Sequence, residues 1–325
     1  MYTAKQVTNF SYCFFIGLCL LLITLNLKTP LLTILFSLLV LRICTIQGYK
    51  SISVVLFFLI VITVFLGFGY SVNRAISTLP DIAEKALPKI FELAESYNIT
   101  LPFSNDDSLK MVSVQIIKAE LSSFTNFAKL ASKEFIYFII SVFIAVGIFI
   151  TPKIDIEAGK TVSSDNLYSA LCFSIEDRFK NFFYSFKQVI GAQIIISLIN
   201  TTFTGIFIYI EDLPHVELLI PATFFCGLLP VIGNIISNSI IFCVASTVSA
   251  TLAIHSLIFL IILHKAEYFL NSKIIGGAIK NPMWLTLLAL VIGERIMGIP
   301  GIMLAPVFLN YMKREMRPFT KSVKS

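Results

Sequence analysis

Charge is scarce in this sequence. Only 14% of its 325 residues are Asp, Glu, Lys or Arg, where a soluble domain carries about 25%. Hydrophobic residues make up 57% and the mean hydropathy is +0.87. So few charges cannot cover a water-facing surface of this size, which excludes a soluble enzyme and a disordered chain. Tryptophan is nearly missing, with one against 30 phenylalanines. Paired cysteine motifs are missing too. Cys13, Cys19, Cys44, Cys172, Cys226 and Cys243 form no Cys-x-x-Cys, and most sit inside apolar runs, as small buried hydrophobes do. A secreted disulfide scaffold is therefore excluded.

Chemical motifs are also lacking. No basic patch interleaved with aromatics points to a nucleic-acid partner. There is no His-Glu-x-x-His, no Gly-x-Ser-x-Gly and no Cys/His cluster with metal spacing. His215, His255 and His264 do not make a zinc site by spacing. Gly159-Lys160-Thr161 resembles the end of a phosphate-binding loop, but that loop needs glycine at 154, where this chain has Ile154. The sequence thus predicts neither an enzyme nor an ATP-driven pump, and no cofactor beyond a coupling ion.

What is present is a series of long apolar runs. Crossing the hydrocarbon core takes roughly 20 apolar residues. Phe10–Leu27, Ser51–Tyr70, Phe135–Thr151 and Gln188–Ile210 fit that length, and Leu31–Ile46 is a shorter second span after a turn at Lys28-Thr29-Pro30. The first run has no small-residue cleavage pattern after it and reads as an uncleaved span. From Leu218 onward the chain is nearly all apolar, cut by Pro and Gly. The expectation is an all-α integral membrane protein with about eight transmembrane helices, some broken or re-entrant. Its lipid-facing surface makes the bilayer its first partner.

Residues 71–133 differ in composition. Ile76, Leu79, Ala83, Leu87, Ile90, Ala94 and Tyr97 recur at steps of three and four, as do Ile117, Leu121, Phe124, Ala128, Ala131 and Phe135. Each series is one apolar stripe on a helix, and Asn98–Asp107 between them has loop composition. This is an extramembrane amphipathic hairpin, which either caps the membrane region or serves oligomerisation or gating. The chain divides by composition into 1–70 (spans one to three), 71–133 (the hairpin) and 134–325 (a transport region with broken helices).

Arg42 and Lys50, then Lys153, Lys160, Arg178, Lys180 and Lys187, then Lys313, Arg314, Arg317, Lys321 and Lys324 form three basic groups. Glu211, Asp212, His215 and Glu217 form an acidic loop. Placing both termini in the cytoplasm puts every basic group inside and the acidic loop and hairpin outside. That arrangement requires an even number of crossings.

Two interruptions stand out. One is Gly227-Leu-Leu-Pro230-Val-Ile-Gly233-Asn234, and the other is Gly298-Ile-Pro300-Gly301. A proline or glycine break frees backbone carbonyls, which hydrocarbon tolerates only inside protein or against a water-filled cavity. In many secondary transporters such breaks mark the substrate and ion site. The alternative for each is a simple kink. Pro230, Gly233, Asn234, Gly298, Pro300 and Gly301 are accordingly the expected broken-helix site, formed where the two breaks approach.

Ionisable residues flank these segments. His264, Tyr268 and Asn271 share one face of a helix, beside Lys265 and Glu267. This stripe lines a passage or marks a helix end at the interface. Glu294 and Arg295 are adjacent and so cannot pair across one helix. Glu267 and Glu294 are candidate carriers of a coupling proton or sodium ion, and Lys265, Arg295, His264 and Asn271 are candidates for pairing with them. His255, within Leu252–Leu263, reads as a hydrogen-bonded core residue. Asn200, Thr201, Thr202 and Thr204 cluster mid-span and read as satisfied packing, since hydroxyls there can bond back onto their own helix.

The C-terminal motifs resemble those of the autoinducer-2 exporter family, bacterial and archaeal permease-like membrane proteins. The residues carrying the resemblance are Leu229-Pro230-Val231-Ile232-Gly233, Lys273-Ile-Ile-Gly276, Asn281-Pro282 and Gly298-Ile-Pro300-Gly301-Ile-Met-Leu304-Ala305-Pro306. Ser272 stands where the family often has proline, and Leu263-His264-Lys265-Ala266-Glu267 replaces a glutamine-rich stretch. The resemblance implies a transporter of the cell membrane: an exporter of a small signalling molecule such as autoinducer-2, or a sodium/proton antiporter. It also implies a homo-oligomer, such as a pentameric ring. The competing readings are an oligomeric pore or channel, and a non-transporting scaffold that binds partners through the 71–133 hairpin.

Overall fold

The computed structural model describes residues 4–46, 49–97, 134–154, 167–230, 232–274 and 282–322. The second arm of the expected hairpin, residues 98–133, and most of the Lys273–Asn281 motif lie outside the described residues. What is described is all helix: α1 (Ala4–Thr24), α2 (Lys28–Ile43), α3 (Lys50–Ser96), α4 (Glu134–Ile150), α5 (Leu167–Ile210), α6 (Val216–Gly227), α7 (Ile232–Val248), α8 (Ala250–Ile274), α9 (Met283–Met297) and α10 (Ile299–Ser322).

Four of these, α1, α3, α5 and α8, are long and apolar enough to cross a membrane, while α4, α6 and α7 are shorter and apolar. The apolar window of α1 and that of α3 are each only 11% buried. Leu20, Val55, Leu66 and Phe143 are among the large side chains left exposed. A surface this apolar would be unfavourable in water and suits lipid. The chain is an all-α, multi-pass membrane protein.

Two helices exceed their expected bounds. The third span and the first hairpin arm are one helix of 47 residues that passes through Pro80 and Pro88 without stopping. Likewise α5 begins at Leu167, well before its apolar run, and extends for 44 residues. Apolar runs measure the thickness of hydrocarbon, whereas a helix continues wherever its backbone bonds can.

The chain forms two compact units that interleave along the sequence. The first comprises Met1–Ile60, Lys133–Gly191 and Ile279–Ser325, and the second Val61–Ser132 and Ala192–Ala278. Helices α3 and α5 contribute to both.

The first unit is built on aromatics. Phe15 of α1 lies 5.3 Å from Tyr311 of α10 and 5.9 Å from Phe182 of α5, ring centre to ring centre. Phe182 also meets Phe308 at 5.2 Å, and Phe36 of α2 stands edge-on to Phe186 at 5.3 Å. Such pairs add modest stability beyond the area they bury, so the abundant phenylalanine supplies a core here as well as a lipid surface.

In the second unit α6 packs on α7 and α7 on α8. Ile82, Phe207, Leu218, Leu219, Ile241, Val244 and Leu260 form its core, and Phe207 stacks on Phe259 at 4.2 Å. The α3 arm packs into this core. Its buried face is centred on Ile82 and Ala86, one position round from the expected Ala83 and Leu87, and Tyr97 is exposed. Lys89 pins the arm by donating from Nζ to the Thr247 carbonyl at 2.6 Å.

Candidate functional site

The first break is a tight helical hairpin. Helix α6 ends at Gly227 and α7 starts at Ile232. In the turn, Leu228 N–H donates to Phe225 at 3.3 Å and Leu229 N–H to Cys226 at 2.8 Å. Two further carbonyls are taken by α5. Ser197 Oγ donates to the Phe224 carbonyl at 2.6 Å, and Gln193 Nε2 to the Gly227 carbonyl at 2.7 Å. A helix C-terminus leaves its last carbonyls without intrahelical donors. Among apolar helices no water stands ready to replace them, so these two side chains make the break tenable.

Glycine is required at both sides of this turn. A Cβ on Gly227 would stand 2.6 Å from Ser197 Oγ, and one on Gly233 would run into the Cys226 carbonyl. Pro230 and Asn234 are half-buried beside them.

Gln193 and Ser197 belong to a longer polar face. Adding Asn200 and Thr204 gives steps of four, three and four, one side of α5. All four are buried, at 8%, 0%, 3% and 0% exposure. Asn200 Oδ1 and Thr204 Oγ1 have no hydrogen-bond partner among the described residues. Thr201 and Thr202 bond back to the Ser197 and Leu198 carbonyls, each at 2.8 Å, as expected of helical hydroxyls. Thr204 does not. Sequence reasoning saw the cluster but treated its members alike.

The second break closes on itself. Gly298, at φ 66° and ψ −142°, links α9 to α10. Its N–H donates to the Glu294 carbonyl at 2.6 Å, and its carbonyl accepts from Gly301 and Ile302 at 2.9 and 3.1 Å. Side chains disfavour a positive φ, so glycine fits this position. Pro300 falls in the first turn of α10, where its missing N–H leaves no bond unmade. Gly293 and Gly301 face one another so closely that a Cβ on Gly293 would be 2.5 Å from the Gly301 carbonyl oxygen.

The expected charged residues fare differently. Glu294 and Arg295 are both exposed. Lys265 is exposed and His264 largely so, while Glu267 is buried, its Oε2 3.9 Å from His264 Nδ1. Asn271 lies in α8, its side chain outside the described residues. Pro230, Gly233, Asn234, His264, Lys265, Glu267 and Asn271 belong to the second unit, and Gly298, Pro300, Gly301, Glu294 and Arg295 to the first. His255 is not a core residue. Its side chain is half exposed and pairs with Glu211 of the acidic loop at 3.1 Å.

Sequence reasoning missed one cluster entirely. Glu315 of α10 accepts from Tyr12 Oη at 2.9 Å, from Asn181 Nδ2 at 3.0 Å and from the Arg178 guanidinium. That guanidinium also lies 3.9 Å from the Tyr12 ring centre. The Arg178 and Glu315 side chains are 12% and 10% exposed. Read along the sequence, Arg178 looked like a topology signal, and Glu315 was hidden among Lys313, Arg314 and Arg317. No local pattern connects positions 137 residues apart.

The family model for AI-2E family transporters matches residues 5–319. A Bacillus subtilis (strain 168) protein described as "Putative transport protein YdbI" is 32% identical over 128 residues, 38% of this chain and 37% of that protein. The matched stretch thus spans little more than a third of that relative. No solved structure matches the chain. The chain belongs to the AI-2E transporter family.

Proposed function

We propose that this protein is a secondary transporter of the cell membrane that moves a small solute or ion without an ATP site of its own. The observation that carries the reading is the pair of helical hairpins broken at Leu228–Pro230 and at Gly298 in a chain of apolar helices. Breaks of this kind mark the substrate and ion site in many secondary transporters. The family's transporter character supports the same class.

In this reading about eight crossings leave both termini in the cytoplasm. Glu267 and Glu294 carry the coupling proton or sodium ion, with His264, Lys265, Asn271 and Arg295 as pairing groups. The buried carboxyl of Glu267 supports its part, since ionisable groups within membrane segments mark ion pathways. Glu294 stands at the Gly298 turn, to which it gives its carbonyl. The substrate is an exported small molecule of the autoinducer-2 kind, or the chemistry is sodium/proton antiport, and the working form is a homo-oligomeric ring such as a pentamer.

The test is flux in proteoliposomes. A transporter gives saturable uptake or efflux that a proton or sodium gradient drives uphill. Glu294→Gln is expected to cut that flux about tenfold or more, and unchanged flux would remove Glu294 from the mechanism. Flux that never saturates and runs only downhill would replace the transporter with a channel.

A further inference from the structure

We propose that the buried polar face of α5 is a binding site for a small monovalent cation, with Asn200 Oδ1 and Thr204 Oγ1 as its side-chain ligands. The site lies within the second unit and involves none of the charged residues considered above.

The two oxygens are the starting point. Asn200 is 3% exposed and Thr204 fully buried, and both oxygens lack a hydrogen-bond partner among the described residues. A buried polar atom left without a partner is costly and uncommon. Local geometry does not force the vacancy, because Thr201 and Thr202 donate one turn back at 2.8 Å and Thr204 does not. Further along the same face, Gln193 and Ser197 are already committed to the Gly227 and Phe224 carbonyls.

Helix α6, held by those bonds, contains Pro221, which has no N–H to donate. Neither α6 nor residues 188–210 of α5 contain a Lys or Arg to serve these oxygens. Unmatched oxygens in an apolar setting call for a ligand that their lone pairs can hold.

The chemistry narrows the class. The two side-chain oxygens are neutral and hard, which suits an alkali cation, whereas calcium and magnesium sites draw on carboxylates and soft metals on thiolates. At one end of this face α5 and α6 lie close, since a Cβ on Gly227 would come 2.6 Å from Ser197 Oγ. A buried water is the alternative occupant, since it too needs polar partners in a small space.

This inference deepens the transporter reading and rests on it only for the claim that the bound ion is carried across. Binding is measurable without flux. Full-length protein in detergent, kept in choline chloride at constant ionic strength, is titrated with sodium chloride. Radiosodium binding and the melting temperature are read together, with lithium as competitor. Saturable binding and a rise of several degrees in Tm are expected. Asn200→Leu and Thr204→Val should each weaken sodium binding at least tenfold. Their Tm in choline should be unchanged or higher, because the lone oxygen is gone. Thr204→Ser, which keeps the oxygen, should restore binding. The proposal is overturned if the wild type shows no sodium-dependent binding, if the two apolar variants bind sodium like the wild type, or if they melt lower in choline. The last result would mean that a water or a protein group already satisfies these oxygens. Sodium binding without any flux upholds the site and defeats the transporter reading. Gradient-driven flux without sodium binding does the reverse.

Discussion

The α6–α7 and α9–α10 hairpins solve one problem in two ways. Both turn an apolar helix back on itself, and both use glycine to bring backbones together. The α9–α10 turn is self-sufficient: Gly298 supplies the conformation and the bonds, and Gly293 and Gly301 supply the close packing. The α6–α7 turn depends on a neighbour, because Ser197 and Gln193 of α5 hold its carbonyls. A self-closed turn needs nothing polar beside it. A turn closed by another helix brings a buried polar face with it, and that face is larger than the turn requires. The surplus, Asn200 and Thr204, is where a ligand fits.

The largest effect is expected away from both turns, at the far end of α10. Removing one member of a fully buried charge pair costs about 3–5 kcal/mol, and the lower end applies to the Arg178–Glu315 pair, whose side chains are 12% and 10% exposed. Glu315→Leu strands the Arg178 guanidinium and the Tyr12 and Asn181 donors. Thermal unfolding in detergent should show a loss of that order. A negligible loss would mean that α10 is anchored by the Gly298 turn and the aromatic core alone.

Next come the glycines at the turns. Gly233→Ala and Gly301→Ala each drive a methyl group into backbone, where no flexible side chain can yield. Overpacking costs roughly 1–3 kcal/mol in ordinary cores, and the upper end is expected for both. Similar losses would show that the two turns are equally tight despite their different bonding. A markedly smaller loss at Gly301 would show that α9 and α10 can slide where α6 and α7 cannot.

The comparison is sharpened at Ser197 and Gln193. Ser197→Ala or Gln193→Leu leaves a buried carbonyl unmatched, at about 1–3 kcal/mol each. No substitution of a neighbouring helix should have this effect on the α9–α10 turn, which makes its own bonds. Both variants are read by the same unfolding assay. Full stability in either would mean that the α6 carbonyls find other donors and that the α5 polar face exists for another reason.

Both breaks were legible in the sequence because glycine and proline act locally: a missing N–H or a positive φ is a property of one residue. Family membership was legible for the same reason, since its motifs sit at those turns. The polar face of α5 was half legible. Thr201 and Thr202 behave as isolated helical hydroxyls should, whereas the state of Asn200 and Thr204 depends on α6, and nothing at positions 200–204 reports that. The Glu315 cluster was illegible, since it joins residues from α1, α5 and α10 that only folding brings together. Burial was not legible from charge either: Glu294 and Arg295 are exposed, whereas Glu267 is buried and the Glu315 side chain is 10% exposed.

The smallest predicted effect bears on what a glycine means. Gly67 in α3 has no heavy atom within 4 Å of where a Cβ would stand. It is exposed on the lipid-facing stretch of its helix. Glycine within a helix is less stable than alanine by about 0.5–1 kcal/mol, so Gly67→Ala should raise stability by that amount. The contrast with Gly233 would then rest on what the methyl group meets, not on residue type. The opposite sign is informative. Small residues let membrane helices approach closely, so a loss on Gly67→Ala would mean that this face is covered in the working protein. A second copy of the chain is the proposed cover. Crosslinking of a cysteine variant at Gly67 would then trap oligomers in the membrane, while the same variant at Gly17 of α1, equally open, would separate a specific face from general crowding.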